Sequence, residues 1–228
     1  MPVHTDIFSY SPSHVESAIA PKELAPQIYG FRLFTPEFCK KLLEEADACG
    51  KWEEEEKIDF YMPRIHAGPF DCVPEKAKLY ACRFNEKESD TSCDADQEAK
   101  SGLSLKSMPG LNEVFGEVVD RHVFPLARDL WPTYRPRMKR TPYILRYDAE
   151  DDSLPEDMEV HWDQNVLAMV VYLNDEFDGG GTVFPRWGVE AGKNGPGWAV
   201  FYPGGVSHEH GGGTITRGRR FVLVCDFY

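Results

Sequence analysis

Apolar positions along this 228-residue chain change their period about two-thirds of the way through. From Thr35 they recur at three- and four-residue steps through Phe38, Leu42, Leu43 and Ala46, which predicts an amphipathic helix. Thr35 is a capping residue, Pro36 suits the first helical position, Glu37 complements the helix N-terminus and Gly50 can stop the helix. A second helical face carries Leu111, Val114, Phe115, Val118 and His122, until Pro125 breaks it or starts a new turn. His122 reads there as a packed core histidine. Beyond Met138 the pattern becomes short β-like runs between glycine, proline and acidic turns, at 142–147, 166–173, 181–185, 198–202 and 220–227. The 166–173 run, VLAMVVYL, is apolar on both faces, as a strand buried between layers should be. These elements predict a mainly β fold with flanking helices, its core a double-stranded β-helix, or jelly roll. No internal repeat is seen.

The polar stretches set the boundaries. Residues 1–28 show no periodicity and read as an N-terminal arm, leaving 29–228 as one domain. Within it, 29–137 is a helical support region and 138–228 the jelly-roll core. The run Glu53-Glu54-Glu55-Glu56 reads as a solvated face. Residues 84–107 are polar and unpatterned, so they read as a surface loop, with a lid role left open.

Composition narrows the function classes. A hydrophobic fraction of 42% and a charged fraction of 28% are those of an ordinary globular domain with a sizeable core. The net charge of -13 argues against a nucleic-acid partner and allows a cationic substrate. The opening MPVHTDIFSYSPSH has neither the basic nor the apolar region of a secretory signal, and no run reaches membrane-spanning length. Six cysteines are scattered without a Cys-x-x-Cys pair, so reduced thiols and a cytoplasmic location are expected, a Cys82–Cys93 bridge being left open. The oligomeric state is also open, a homodimer included.

The chemistry concentrates late in the chain. In an extended strand His161 and Asp163 point the same way and can chelate one ion. A third ligand must come from His208 or His210, which alternation alone does not separate. The ten-residue step from His210 lands on Arg220, while the same step from His208 lands on Gly218, so His210 is preferred and His208 is read as orienting a neighbour, lining the entrance or filling a plain structural role. Two imidazoles and a carboxylate on one face of a metal leave positions open and favour Fe(II) that activates oxygen. Arg220 shares a strand face with Val222, Val224 and Asp226, so a buried guanidinium there needs an anion, from a dicarboxylate or from Asp226 itself. Arg217 and Arg219 are expected to face solvent.

The stretches YILRYDAEDDSLPEDMEVHWD, LNDEFDGGGTVFPRW and GWAVFYPGGVSHEHGGGTITRGRRFVLV resemble Fe(II)/2-oxoglutarate-dependent dioxygenases. The likeness is strongest to the catalytic domain of procollagen lysyl hydroxylases, with prolyl 4-hydroxylases as cousins, and extends in outline from Tyr29 to Tyr228. It implies that His161, Asp163 and His210 ligate the iron and that Arg220, with Tyr147, holds the distal carboxylate of 2-oxoglutarate. It also implies that Gly179-Gly180-Gly181-Thr182 is the turn before a core strand. Val170 stands where lysyl hydroxylases carry an asparagine. The implied reaction hydroxylates an unactivated C–H bond of a lysyl or prolyl residue, in a peptide, or of a free amino acid, using O2 and releasing succinate and CO2. Ascorbate is a candidate reductant. The acidic segment 148–159 is a candidate attractor for a cationic substrate. Competing readings are a zinc-binding jelly-roll hydrolase, a non-catalytic binding module with the same ligand set, and an oxygenase acting on a small natural product.

Overall fold

The computed structural model describes residues 2–52, 102–134 and 141–228. Its frame is two antiparallel sheets. The larger runs in the order β1 (Lys22–Ala25), β2 (Ile28–Arg32), β10 (Trp198–Pro203), β6 (Leu167–Tyr172), β12 (Ile215–Phe227), β4 (Tyr143–Asp148) and β3 (Gly102–Ser104), with β7 (Phe177–Gly179) paired to the first part of β12. The smaller runs β5 (Met158–His161), β11 (His210–Gly212), β8 (Thr182–Phe184) and β9 (Val189–Ala191). The fold is a double-stranded β-helix with helices packed on its outer side.

Strand alternation divides the interior in two. On β12, Phe221, Leu223, Cys225 and Phe227 enter a core shared with the helices. Arg220, Val222, Val224 and Asp226 point the other way, into a cavity between the sheets. On β6, Leu167, Met169 and Val171 face the helices, while Ala168, Val170 and Tyr172 face the opposing sheet. A one-residue slip in either strand would exchange these sets.

The helical core is held by α1 (Pro36–Cys49) and α2 (Pro109–Val118). The Phe38 amide donates to the Thr35 hydroxyl at 3.4 Å, and Gly50 ends α1 at φ 61°. Phe38, Leu42 and Ala46 are buried on one face of α1, and Leu111, Val114, Phe115 and Val118 on one face of α2. Each large apolar side chain enclosed this way contributes roughly 1.5–3 kcal/mol. Pro125 does not break the second helix. The chain passes through a π-helical turn, Val119–Val123, into α3 (Phe124–Leu130), with Pro125 in the first turn where its missing N–H does least harm. His122 packs at the core's edge, its Nε2 2.9 Å from the Tyr10 hydroxyl.

Residues 102–107, expected within a surface loop, instead form β3 and a 3-10 turn, because Leu103 and Leu105 are buried against the sheet. The remainder of that loop, the Glu53–Glu56 run, and Cys72, Cys82 and Cys93 lie outside the described residues. Among the N-terminal residues, Ile7 and Val15 are buried in the core, and Lys22–Ala25 makes an edge strand with no alternation to announce it. Cys39, Cys49 and Cys225 are free thiols. Among the described residues, no helix is long and apolar enough to cross a membrane.

Candidate functional site

The cavity between the sheets opens to solvent and, with the space at its mouth, takes in about 530 Å³. Its small-sheet wall carries His161 and His210, which are directly paired across β5 and β11, and Asp163 lies just beyond the end of β5. His161 Nε2 is 3.6 Å from Asp163 Oδ1, His210 Nε2 is 3.5 Å from Asp163 Oδ2, and the two imidazole centroids are 4.6 Å apart. One ligand atom from each of the three residues falls within 4.8 Å of the others.

Backbone carbonyls select the imidazole tautomers. His161 Nδ1 donates to Glu159 O at 2.8 Å and His210 Nδ1 donates to His208 O at 3.0 Å. With both protons held there, each Nε2 presents a lone pair toward the carboxylate, as metal ligation requires. Burial pushes His210 below the ordinary histidine value of 6.5, against the pull of the Asp163 charge, so it is neutral at pH 7.

His208 does not share the inward face with His210. Val206–His208 is a 3-10 turn rather than an extended segment, which rotates the His208 ring away to stack on Trp187 and to reach Ser207 Oγ and Pro26 O. Its carbonyl, not its imidazole, orients His210. Alternation could not separate the two histidines because the turn at Gly204-Gly205 had no visible period.

On the large-sheet wall, Arg220 is 2% exposed. It lies inside β12 rather than at its start, because the preceding Ile215–Gly218 segment pairs with β7. Its Nη1 donates to Gly180 O at 2.8 Å and Gly213 O at 3.0 Å, and the guanidinium lies 3.9 Å from the Tyr147 ring centroid. Its Nε has no partner, and among the described residues no carboxylate pairs with it. Asp226, one candidate counter-ion, lies at the far end of the same strand beside Asn165. A buried guanidinium without an anion is costly, and its surroundings fit an incoming carboxylate. The Tyr147 hydroxyl points past Arg220 to Met158 Sδ at 4.0 Å. Arg217 and Arg219 are exposed and paired with Asp178 and Asp148.

The glycine turn shapes the Arg220 end. Gly179 and Gly180 have positive φ, and a Cβ on Gly180 would come within 2.7 Å of Arg220 Nη1. Thr182 follows at the start of β8, its hydroxyl 2.8 Å from that of Tyr172. Tyr202 was not singled out from the sequence. Its ring meets His210 edge-on at 4.6 Å and 62°. Burial, then the Asp163 charge, raises its phenol well above the ordinary value, so it stays protonated. The only advance signal was its position on a strand with period two.

Over nearly its whole length the chain is similar to procollagen lysyl hydroxylases. It is 24% identical over 203 residues to the multifunctional procollagen lysine hydroxylase and glycosyltransferase LH3 of Rattus norvegicus, covering 87% of this chain and 23% of that protein. It is 25% identical over 206 residues to the procollagen lysyl hydroxylase and glycosyltransferase of Acanthamoeba polyphaga mimivirus, covering 89% and 19%. The chain thus spans less than a quarter of the length of these relatives. No protein-family model matches it. Among solved structures, the viral collagen prolyl hydroxylase of Paramecium Bursaria Chlorella virus-1 with 2OG aligns at TM-score 0.45 and 15% identity, over 55% of this chain and 77% of that one. A 2OG-Fe(II) oxygenase family oxidoreductase from Burkholderia pseudomallei aligns at 0.43 and 18%, over 53% and 59%. The likeness carried by the motifs from Tyr143 onward is therefore a likeness of sequence to the procollagen lysyl hydroxylases, extending across 87–89% of the chain.

Proposed function

We propose that this chain is the catalytic unit of an Fe(II)- and 2-oxoglutarate-dependent hydroxylase, with residues 29–228 as its domain and 1–28 as an arm. The observation that carries the reading is a pairing within one cavity. Two Nε2 lone pairs and a carboxylate converge on one wall, and on the other stands a buried arginine that no carboxylate among the described residues pairs. His161, Asp163 and His210 would hold Fe(II), and Arg220, backed by the Tyr147 ring, would take the distal carboxylate of 2-oxoglutarate. Held there, Fe(II) and 2-oxoglutarate would, with O2, supply the oxidising power, 2-oxoglutarate going to succinate and CO2 and one oxygen atom entering a substrate C–H bond.

The protein's own part is to bind, orient and exclude water. The Glu159 and His208 carbonyls keep the imidazole protons off the metal side. The carbonyls of Gly180 and Gly213 hold the guanidinium in one orientation, and Val170, Val222 and Val224 make a dry floor. The substrate proposed is a lysyl residue in a peptide, after the names of the relatives, or else a prolyl residue or a free amino acid. A zinc hydrolase with the same three ligands would have no use for the buried arginine.

Anaerobic addition of Fe(II) and then 2-oxoglutarate should produce a weak visible charge-transfer band. Admitting air, with ascorbate present, should release succinate. His210→Ala should abolish both. A chain that gives neither band nor succinate with any lysine, proline or peptide substrate, yet binds zinc and hydrolyses an ester or amide, would refute the proposal.

A further inference from the structure

Two carbonyls hold the Arg220 guanidinium, and both are tied down. The Gly180 oxygen belongs to the peptide unit that also carries the Gly181 N–H. That unit is trans, so its oxygen and its hydrogen point to opposite edges of one plane. On one edge the oxygen accepts from Arg220 Nη1 at 2.8 Å. On the other, the Gly181 N–H donates to Glu190 Oε1 at 2.8 Å. A guanidinium and a carboxylate thus grip the same peptide from its two sides. Negative charge at the N–H edge polarises the unit, which makes its carbonyl a stronger acceptor for the cation.

The second carbonyl depends on the same segment. The Gly213 N–H donates to Gly181 O at 2.7 Å, and the Gly180 N–H donates to Thr214 O at 3.0 Å. Gly213 O then accepts from Arg220 Nη1 at 3.0 Å. Glu190 therefore bonds the one residue, Gly181, through which both contacts to Arg220 are connected. The approach is close: a Cβ on Gly181 would lie 2.6 Å from Glu190 Cγ and from Ala191 O, so glycine is what lets β9 come this near. Lys193 Nζ is 2.9 Å from the same Glu190 oxygen. Lys193 first, and the Gly181 amide second, hold the Glu190 carboxyl below the ordinary 4.5 against burial, so it is charged at pH 7. The Arg220 charge lowers it further. An exposed glutamate three residues before a lysine reads by itself as a solvated surface pair. The glycine amide it accepts sets this one apart.

We propose that Glu190 is a positioning residue for Arg220, fixing the Gly180–Gly181 peptide so that the guanidinium stays aimed at the distal carboxylate of 2-oxoglutarate. The inference rests on the proposed hydroxylase reading of the same cavity. Glu190 lies on the smaller sheet and Arg220 on the larger, so this hydrogen-bonded path also crosses between the layers. It acts on the cosubstrate only through one peptide unit.

Two readouts on the intact protein test it, one of them independent of 2-oxoglutarate. The first is the set of Arg220 guanidinium resonances in proton–nitrogen correlation spectra, identified by their loss in Arg220→Gln. Glu190→Ala should move them toward the positions of solvent-exposed arginines. Glu190→Gln, whose amide oxygen can still accept from the Gly181 N–H, should return them most of the way. The second is anaerobic calorimetric titration of the Fe(II)-loaded protein with 2-oxoglutarate. Glu190→Ala should weaken binding about fivefold and Glu190→Gln less than about twofold. Lys193→Ala, which removes the ion pair and leaves the glycine contact, should move neither readout. Arg220 resonances that stay in place in Glu190→Ala, 2-oxoglutarate binding that this variant leaves unchanged, or equal effects from Lys193→Ala would overturn the proposal. Should Glu190→Ala fail to fold, as judged by circular dichroism, Glu190→Asp, one methylene too short for the amide, takes its place with the same expectations. If the wild-type protein binds no 2-oxoglutarate, the hydroxylase reading falls, and resonances that move in Glu190→Ala and return in Glu190→Gln keep the positioning role.

Discussion

At the scale of single residues, Arg220 and His14 make opposite use of burial. Arg220 is positioned by two carbonyls and an aromatic face, none of which neutralises it. Arg220→Gln should therefore raise the half-saturating 2-oxoglutarate concentration about 100-fold through loss of a charge-assisted pair. Fe(II) affinity, measured on the same variant, should change less than about threefold, since the metal ligands sit on the other sheet. His14 is buried against Phe38 with Nδ1 unpartnered, and burial lowers its proton affinity below the ordinary 6.5. A lowered folded value means the unfolded chain binds more protons, so this contribution is complete above about 6.5 and is lost as pH falls below it. His208 and His122 are shifted the same way, each chiefly by burial. The melting temperature should fall between pH 7 and pH 5, and His14→Phe should flatten that fall. Arg220 was legible because it stands ten residues beyond His210 and brings a charge to a strand face that continues with Val222 and Val224. Tyr202 was not, because an aromatic residue in a core strand looks the same whether its hydroxyl is free or bonded.

Secondary-structure elements were legible where a local signal matched the tertiary need. The first helix combines cap, period and stop, and its observed span, Pro36–Cys49, keeps every one of those signals. Thr35→Ala should cost about 1 kcal/mol in urea unfolding, since it removes the acceptor for the Phe38 amide. The strands β7 and β9 were missed: each has only three residues, too few to show any alternation. Their pairing is imposed by neighbours distant in sequence, which no local period can encode. Gly180 shows what such a segment is for. At φ 59°, with Arg220 Nη1 within 2.7 Å of an added Cβ, Gly180→Ala should displace the guanidinium. The expected readout is weaker 2-oxoglutarate binding, with Thr35→Ala as the control that loses stability alone.

At the scale of the molecule, the site is divided between two layers. The three ligand residues belong to the smaller sheet and its loop, while Arg220 belongs to the larger. A metal alone tethers only the smaller sheet, but an oxyacid that touches both metal and Arg220 joins the layers. Ligands that bind only the folded state stabilise it by about 2.7 kcal/mol at 100 times their dissociation constant. Added together, Fe(II) and 2-oxoglutarate should raise the anaerobic melting temperature by more than the sum of their separate shifts. Purely additive shifts would mean that the two sites are uncoupled.

The 13-residue strand β12 touches almost everything that matters, with Arg220 and Asp226 on one side and four core residues on the other. Evolution can therefore edit this strand letter by letter but not change its length. New preferences can be written at residues 224 and 226 while Arg220 stays as it is, whereas deleting one residue between them would drive Asp226 into oil and bring phenylalanine to the cavity.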